Sequence, residues 1–288
     1  MSYRITTEST CDMPWEYYLQ NNVHVLGLTY RLADGREFTE GSADSLSTEE
    51  FYRYLREGGN ASTAQLNTFA FVEAVEPILA AGEDVLHVGF SGGLSGTVNS
   101  CRQAIEELKE KYPERTVVVA DTLCASMGEG LILTYAVRNQ QNGMTLEENA
   151  AWLENNKLQI AHWFTVDDLM FLHRGGRVSK SSAVLGGLIG IKPILHVDDE
   201  GHLVMVTKKR GRKAAIAELA NRLKETLQGD ITQPIYISHG DCLQDAEELA
   251  DILRSFGATD ITISLIGTVI GSHSGPGTLA LFFLGNKR

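Results

Sequence analysis

The chain has 288 residues, 43% of them hydrophobic, and sets 25 Lys and Arg against 37 Asp and Glu for a formal charge of −12. That length and apolar content suffice for two modest domains or one large one with a buried core, which excludes a disordered chain. The acidic balance argues against nucleic acid as a partner, since nucleic-acid binders set positive charge against phosphates.

Cys11, Cys101, Cys124 and Cys242 are widely separated, with no C-x-x-C pair and no Cys/His spacing suited to zinc. They read as free thiols in a reducing compartment, and no metal is expected. The first residues lack a basic segment followed by an apolar one, and no uncharged apolar run reaches the roughly 20 residues that cross a bilayer. The expectation is a cytoplasmic protein without stable membrane insertion.

Short apolar runs alternate with helical patterns, the mark of an α/β protein with largely parallel sheets. Strands are expected at 23–30, 85–90, 116–120, 158–165, 191–197, 234–238 and 261–266. Ser47 and Glu50 form a capping box, with Leu46 placed to staple onto Phe51, so a helix starts there. A second helix opens near Thr97, because Val98, Cys101, Ala104, Ile105 and Leu108 recur at helical spacing. Thr145 with Glu148 starts a third. The polar helical stretch 143–158 reads as the connection between a domain of residues 1–155 and one of residues 156–288. Next, 183–190 is apolar on all sides with small residues interleaved; it reads as a buried helix or as the wall of a tunnel for an aliphatic ligand. A hairpin follows, 191–197 and 203–206 around Asp198-Asp199-Glu200-Gly201. The stretch 261–285 reads as two strands around a loop that holds His273.

Two hydroxyl-rich glycine turns, Ser91-Gly-Gly-Leu-Ser-Gly-Thr97 and His273-Ser-Gly-Pro-Gly-Thr278, look like two jaws of one anion site. A glycine loop that opens a helix aims unpaired N–H groups at its guest, which suits a carboxylate or phosphate. Gly89-Phe-Ser91-Gly-Gly93 also matches the G-x-S-x-G elbow of serine hydrolases, with Asp241 and His273 following in triad order. Against that reading, the only His-x-Gly-Gly run lies far downstream of Ser91, and the loop continues to Gly96 before helical spacing begins. Neither turn carries the lysine of a phosphate-binding loop. The basic clusters Arg174/Arg177/Lys180 and 208–213 read as solvated helix ends, or as a docking surface for an acidic partner.

Taken in order, the motifs resemble the DegV family, fatty-acid-binding proteins that act as acyl carriers for a bacterial fatty-acid kinase. Glu8-Ser-Thr-Cys-Asp-Met-Pro14 is similar to the family's D-S-T-x-D-x-P, Thr63-Ala-Gln65 to T-S-Q-P, and Ser91 through Thr97 to S-S-G-L-S-G-T. Val118 through Ser126, Arg174-Gly-Gly-Arg-Val-Ser-Lys180, Ile191-Lys-Pro-Ile194 and His273-Ser-Gly-Pro-Gly277 continue the match across nearly the whole chain. Glu8 stands where the family has Asp, Ala64 where it has Ser, and Leu66 where it has Pro.

The resemblance implies two α/β domains with the ligand between them. The carboxylate would be held by Thr63 and Ser95, with Gly96, Ser62, Ser91 and His273 beside it. Arg177 and Arg210 would mark the site mouth or the contact with a fatty-acid kinase. The acyl chain would run along Val184, Leu185, Leu188, Ile189 and Ile194. No cofactor is implied beyond the bound fatty acid. The protein would be a carrier, not itself a catalyst, and a hydrolase built on Ser91 is the alternative.

Overall fold

The computed structural model describes residues 2–179 and 190–288. Val184, Leu185, Leu188 and Ile189 lie outside the described residues. A four-stranded parallel sheet, in the order β2-β1-β6-β7, is built from β1 (Tyr3–Glu8), β2 (His24–Leu26), β6 (Asp84–Gly89) and β7 (Val117–Asp121). A small antiparallel sheet joins β3 (Thr29–Leu32), β4 (Glu37–Thr39) and β5 (Ala61–Ala64). The third sheet has the order β10-β9-β8-β13-β11-β12, formed by β8 (Ile160–Thr165), β9 (Ile191–Val197), β10 (Leu203–Arg210), β11 (Ile235–His239), β12 (Ile261–Leu265) and β13 (Leu279–Leu284).

The described helices are α1 (Trp15–Gln20), α2 (Thr48–Arg56), α3 (Thr68–Ala80), α4 (Thr97–Lys111), α5 (Met127–Gln141), α6 (Leu146–Asn156), α7 (Leu169–Arg174), α8 (Arg212–Thr226), α9 (Leu243–Ser255) and α10 (Thr268–Ser274). The capping boxes of α2 and α6 form as their sequences require: Ser47 accepts from Glu50 N–H, and Thr145 from Glu148 N–H. Each glutamate reaches back to the cap residue's own N–H, so two otherwise unpaired donors are satisfied at each start.

The α/β expectation holds, but its parallel character holds only for the four-stranded sheet. In the six-stranded sheet β11 and β12 run parallel, while the other neighbours are antiparallel. Parallel neighbours need a long crossover. Here β9 turns straight back into β10, and β13 returns antiparallel between β8 and β11. The expected 23–30 strand is also divided. At Gly27 a side chain would stand 2.5 Å from the Glu40 carbonyl oxygen. The close crossing there carries the chain from the parallel sheet into the small one.

Alternation sorts the six-stranded sheet into two faces. Ala161, Trp163, Ile194, Ile237, Leu279, Leu281 and Phe283 pack outward against Ile216, Leu219 and Leu223 of α8 and Leu249 and Leu253 of α9. Ile160, Phe164, Leu195, Tyr236, Ala280 and Phe282 point the other way, into a core shared with β1 and with Met127, Leu131 and Ile132 of α5. Helix α5 is buried around nearly its whole circumference, the condition of a helix between two layers.

Candidate functional site

Ser91 through Gly96 bridge β6 and α4, and their backbone is folded upon itself. Ser91 O accepts from the N–H groups of Leu94 and Ser95 at 3.0 and 3.1 Å. Gly92 N–H is spent on Asp121 Oδ1 (3.0 Å), Gly93 N–H on Ser91 Oγ (3.2 Å) and Thr97 N–H on Ser95 Oγ (3.2 Å). These amides are therefore not free for an anion, which corrects the expectation of a cradle of N–H groups. Leu94, Ser95 and Gly96 line a cavity whose lining also includes the polar residues Thr63, Arg177 and His273.

The Ser91 hydroxyl is fully buried and donates to Gly201 O at 2.8 Å, in the turn between β9 and β10. The turn sits on this loop so closely that a side chain at Gly93 would meet Glu200 O at 2.6 Å. Ser91 thus joins two sheets and is absent from the cavity wall, against its expected place at the carboxylate. The triad reading fails with it, since Asp241 bonds Arg56 at 2.5 Å and His273 bonds Thr63.

The cavity holds about 450 Å³ between the inner face of the six-stranded sheet, the 90–97 loop, β5 and α10, within the usual range of about 300–1,000 Å³ for small-molecule sites. Phe164, Val197, Ala280 and Phe282 on the sheet, with Phe90, Leu94, Ile266, Val269 and Ile270 opposite, give it a mainly apolar wall. His162 lies in that wall as a neutral ring: its Nδ1 is 2.8 Å from Ile160 O and its Nε2 accepts from Ala125 N–H at 3.2 Å. Burial holds its pKa well below the usual imidazole value.

Thr63, Ser95, His273 and Arg177 gather in the same cavity. Thr63 Oγ1 and His273 Nε2 are 2.7 Å apart, and Nδ1 of His273 has no partner among the described residues. Burial first, then the Arg177 charge, pushes the His273 pKa down from 6.5 to about 4. The ring is therefore neutral near pH 7. In the tautomer with its proton on Nε2 it donates to Thr63, which frees the threonine proton for an acceptor in the cavity. Arg177 is itself partly desolvated, so its pKa is lowered. A cation and hydroxyl donors facing one space form a receptor for a single anionic group.

Carboxylates hold these elements in place. Glu8 Oε1 accepts from Phe90 N–H at 3.1 Å and tethers the glycine loop to β1. Asp12 Oδ1 accepts from Gly267 N–H at 2.9 Å, while Glu40 Oε1 takes the Thr268 and Val269 amides and the Thr268 hydroxyl. Both acids fix the N-terminal end of α10, whose last turn carries His273. At the other contact, a methyl group on Gly175 would overlap His273 Nδ1, and Gly175 lies two residues before Arg177. Gly175 in Arg174-Gly-Gly-Arg177 thus lets the histidine ring pack against the turn that carries Arg177.

Ser62 is exposed and lies on a smaller adjoining hollow, of about 290 Å³, that shares Thr63, Arg177 and His273. Arg210 is exposed at the end of edge strand β10 and does not line the cavity. The basic run around it is partly neutralised, with Lys209 on Glu218 (2.7 Å) and Arg212 on Asp245 (2.9 Å). Ile194 faces α8, on the wrong side of the sheet for a tunnel. Its neighbour Leu195 points inward and Val197 lines the cavity, because a shift of one residue changes the face. The motifs do not single out Phe164, Ala280 and Phe282, although the unbroken apolar run of β13, Leu279–Leu284, marks a strand buried on both faces.

Among the described residues no helix is long and apolar enough to cross a membrane, and no cluster of His, Cys, Asp and Glu is arranged to hold a metal ion.

Comparison with known proteins agrees over the whole length. The family model described as "Uncharacterised protein, DegV family COG1307" matches residues 2–286. A DegV domain-containing protein of Clostridium perfringens is 42% identical over 99% of this chain and 98% of its own. Among solved structures, a DegV lipid binding protein from Thermotoga maritima superposes with a TM-score of 0.88 at 29% identity, covering 100% of both chains. A DegV family protein from Thermus thermophilus, described for its fatty acid binding, gives 0.87 at 30% identity over 98% of this chain and 99% of that one. The B3 protein of the Streptococcus pneumoniae fatty acid kinase, loaded with linoleic acid, shares the fold at 21% identity, with a TM-score of 0.85 over 99% of both chains. The chain belongs to the DegV family.

Proposed function

We propose that the protein binds a long-chain fatty acid, with the carboxylate at Thr63, Ser95, His273 and Arg177 and the acyl chain along the inner face of the six-stranded sheet. The observation that carries this reading is one cavity of about 450 Å³ in which an anion receptor opens onto an apolar wall. Solved relatives whose descriptions name lipid or fatty acid binding support it. Burying a methylene is worth about 0.8 kcal/mol, so a chain of around sixteen carbons offers on the order of 12 kcal/mol before ordering costs. The receptor then needs to orient the head group more than to retain the ligand.

We further propose that the bound carboxylate is presented to a partner kinase, which transfers a phosphoryl group from a nucleotide to a carboxylate oxygen and so forms an acyl-phosphate. The protein would be the carrier in that reaction. The linoleic-acid-loaded B3 protein of the Streptococcus pneumoniae fatty acid kinase supports the idea at the level of fold. Arg177, which lines both the cavity and the adjoining hollow, would be the first contact for such a partner. Exposed Arg210 is a second candidate contact. A division near residue 155 would give the parallel sheet to the head-group unit and the six-stranded sheet to the chain-enclosing unit.

Native mass spectrometry of protein purified from a bacterial host tests the first proposal. A bound mass matching a fatty acid is expected. Protein that emerges empty and gains no thermal stability from palmitate or oleate would refute it.

A further inference from the structure

Three buried serines in the same cavity are left unexplained by the carboxylate. Ser238 ends on the inner face of β11, Ser126 precedes α5, and Ser274 closes α10; they are 0%, 6% and 6% exposed. Ser126 Oγ donates to Asp12 Oδ2 at 2.5 Å, and with its proton so used it accepts from Ser238 Oγ across 3.0 Å. The lone pairs of Ser238 remain. The Ser274 hydroxyl has no partner among the described residues. Backbone contacts bring the two segments together: Gly240, two residues beyond Ser238, exchanges hydrogen bonds with Thr278 and Gly277, and Thr278 Oγ1 donates to Ser274 O at 2.9 Å.

The wall thus contains one unused acceptor and one unused donor among Phe164, Ala280 and Phe282. A plain hydrocarbon chain against it would leave a buried hydroxyl unsatisfied, which costs the desolvation of that group. We propose that these serines form a second polar station that selects an acyl chain carrying a hydroxyl group. The ligand hydroxyl would accept from Ser274 and donate to Ser238. The inference rests on the fatty-acid reading above and adds a ligand class to it.

The test is a competition on the delipidated full chain, read by native mass spectrometry, between stearic acid and monohydroxystearic acids substituted at successive positions. At least one positional isomer should outcompete stearate by about tenfold, the worth of one satisfied buried hydrogen bond. Ser274→Ala and, separately, Ser238→Ala should bring that ratio back towards one; if the strand variant does not fold, the Ser274 variant decides. No isomer outcompeting stearate would mean that the station merely holds water, and the proposal would fall. A preference that survives both variants would overturn it equally. Binding of neither acid would instead remove the fatty-acid reading and this inference together.

Discussion

The two ends of the cavity are built by different means. At the end proposed for the head group, short loops and helix ends converge; the 90–97 loop and α10 are tied down by buried carboxylates, and α7 meets α10 through a close glycine contact at Gly175. Along the wall proposed for the acyl chain, one sheet face supplies Phe164, Ala280 and Phe282 through alternation. The first construction is sensitive to single hydrogen bonds. The second is sensitive to volume, and its two faces should respond to mutation in opposite ways.

The largest effect should come from neighbours on β13. Leu281→Ala empties part of the outer core and should lower stability by about 2–5 kcal/mol, measured by denaturant unfolding, with ligand occupancy retained in the folded fraction. Ala280→Phe places a ring in the cavity and should give the reverse profile, a folded protein with little bound fatty acid by mass spectrometry. Equal outcomes for the two would break the assignment of faces.

At the head group, the lowered pKa of His273 makes stability depend on pH. The unfolded chain takes up that proton first as pH falls, so this contribution is complete above about 6.5 and is lost towards pH 4. It amounts to roughly 3 kcal/mol. Buried Asp12 and Glu129 and half-buried Glu40 have raised pKa values, so their contributions run the other way, present at low pH and lost as pH rises. The quantity to measure is therefore the difference in unfolding free energy between ligand-free wild type and His273→Asn across that window.

A smaller change is expected from Thr63→Val, which keeps the shape but deletes the hydroxyl. A hydrogen bond to a charged group is worth about 1.5–3 kcal/mol, so palmitate should bind roughly ten- to a hundredfold more weakly by calorimetry. Smallest of all, Gly175→Ala should displace the His273 ring at a cost of about 1 kcal/mol, visible as a shifted imidazole resonance. An unmoved ring would loosen the link drawn between the Arg174-Gly-Gly-Arg177 turn and the receptor.

The same contrast explains what could be read without coordinates. The capping boxes at Ser47 and Thr145 and the hairpin around Gly201 are local devices, and their residues announce them. Strand β1 was missed because Thr6, Thr7 and Glu8 are buried polar residues whose partners, His87, Val88 O and Phe90 N–H, lie on β6 and the loop beyond it. The antiparallel order of the large sheet was equally hidden, since β8 pairs with β13 from the far end of the chain. Thr63, Ser95, Arg177 and His273 were named from motifs and come together in one cavity. Ser91 and Ile194 lie in segments that reach the cavity but face away from it, because a serine hydroxyl or a strand side chain is aimed by its tertiary partner and register.

Carbon-13 NMR of carboxyl-labelled palmitate bound to the full chain tests the central claim most directly. The account predicts one slowly exchanging carboxylate resonance that stays ionised below the usual carboxylate range and shifts in Thr63→Val and His273→Asn. A resonance that titrates like the free acid and is unmoved by both substitutions would contradict it.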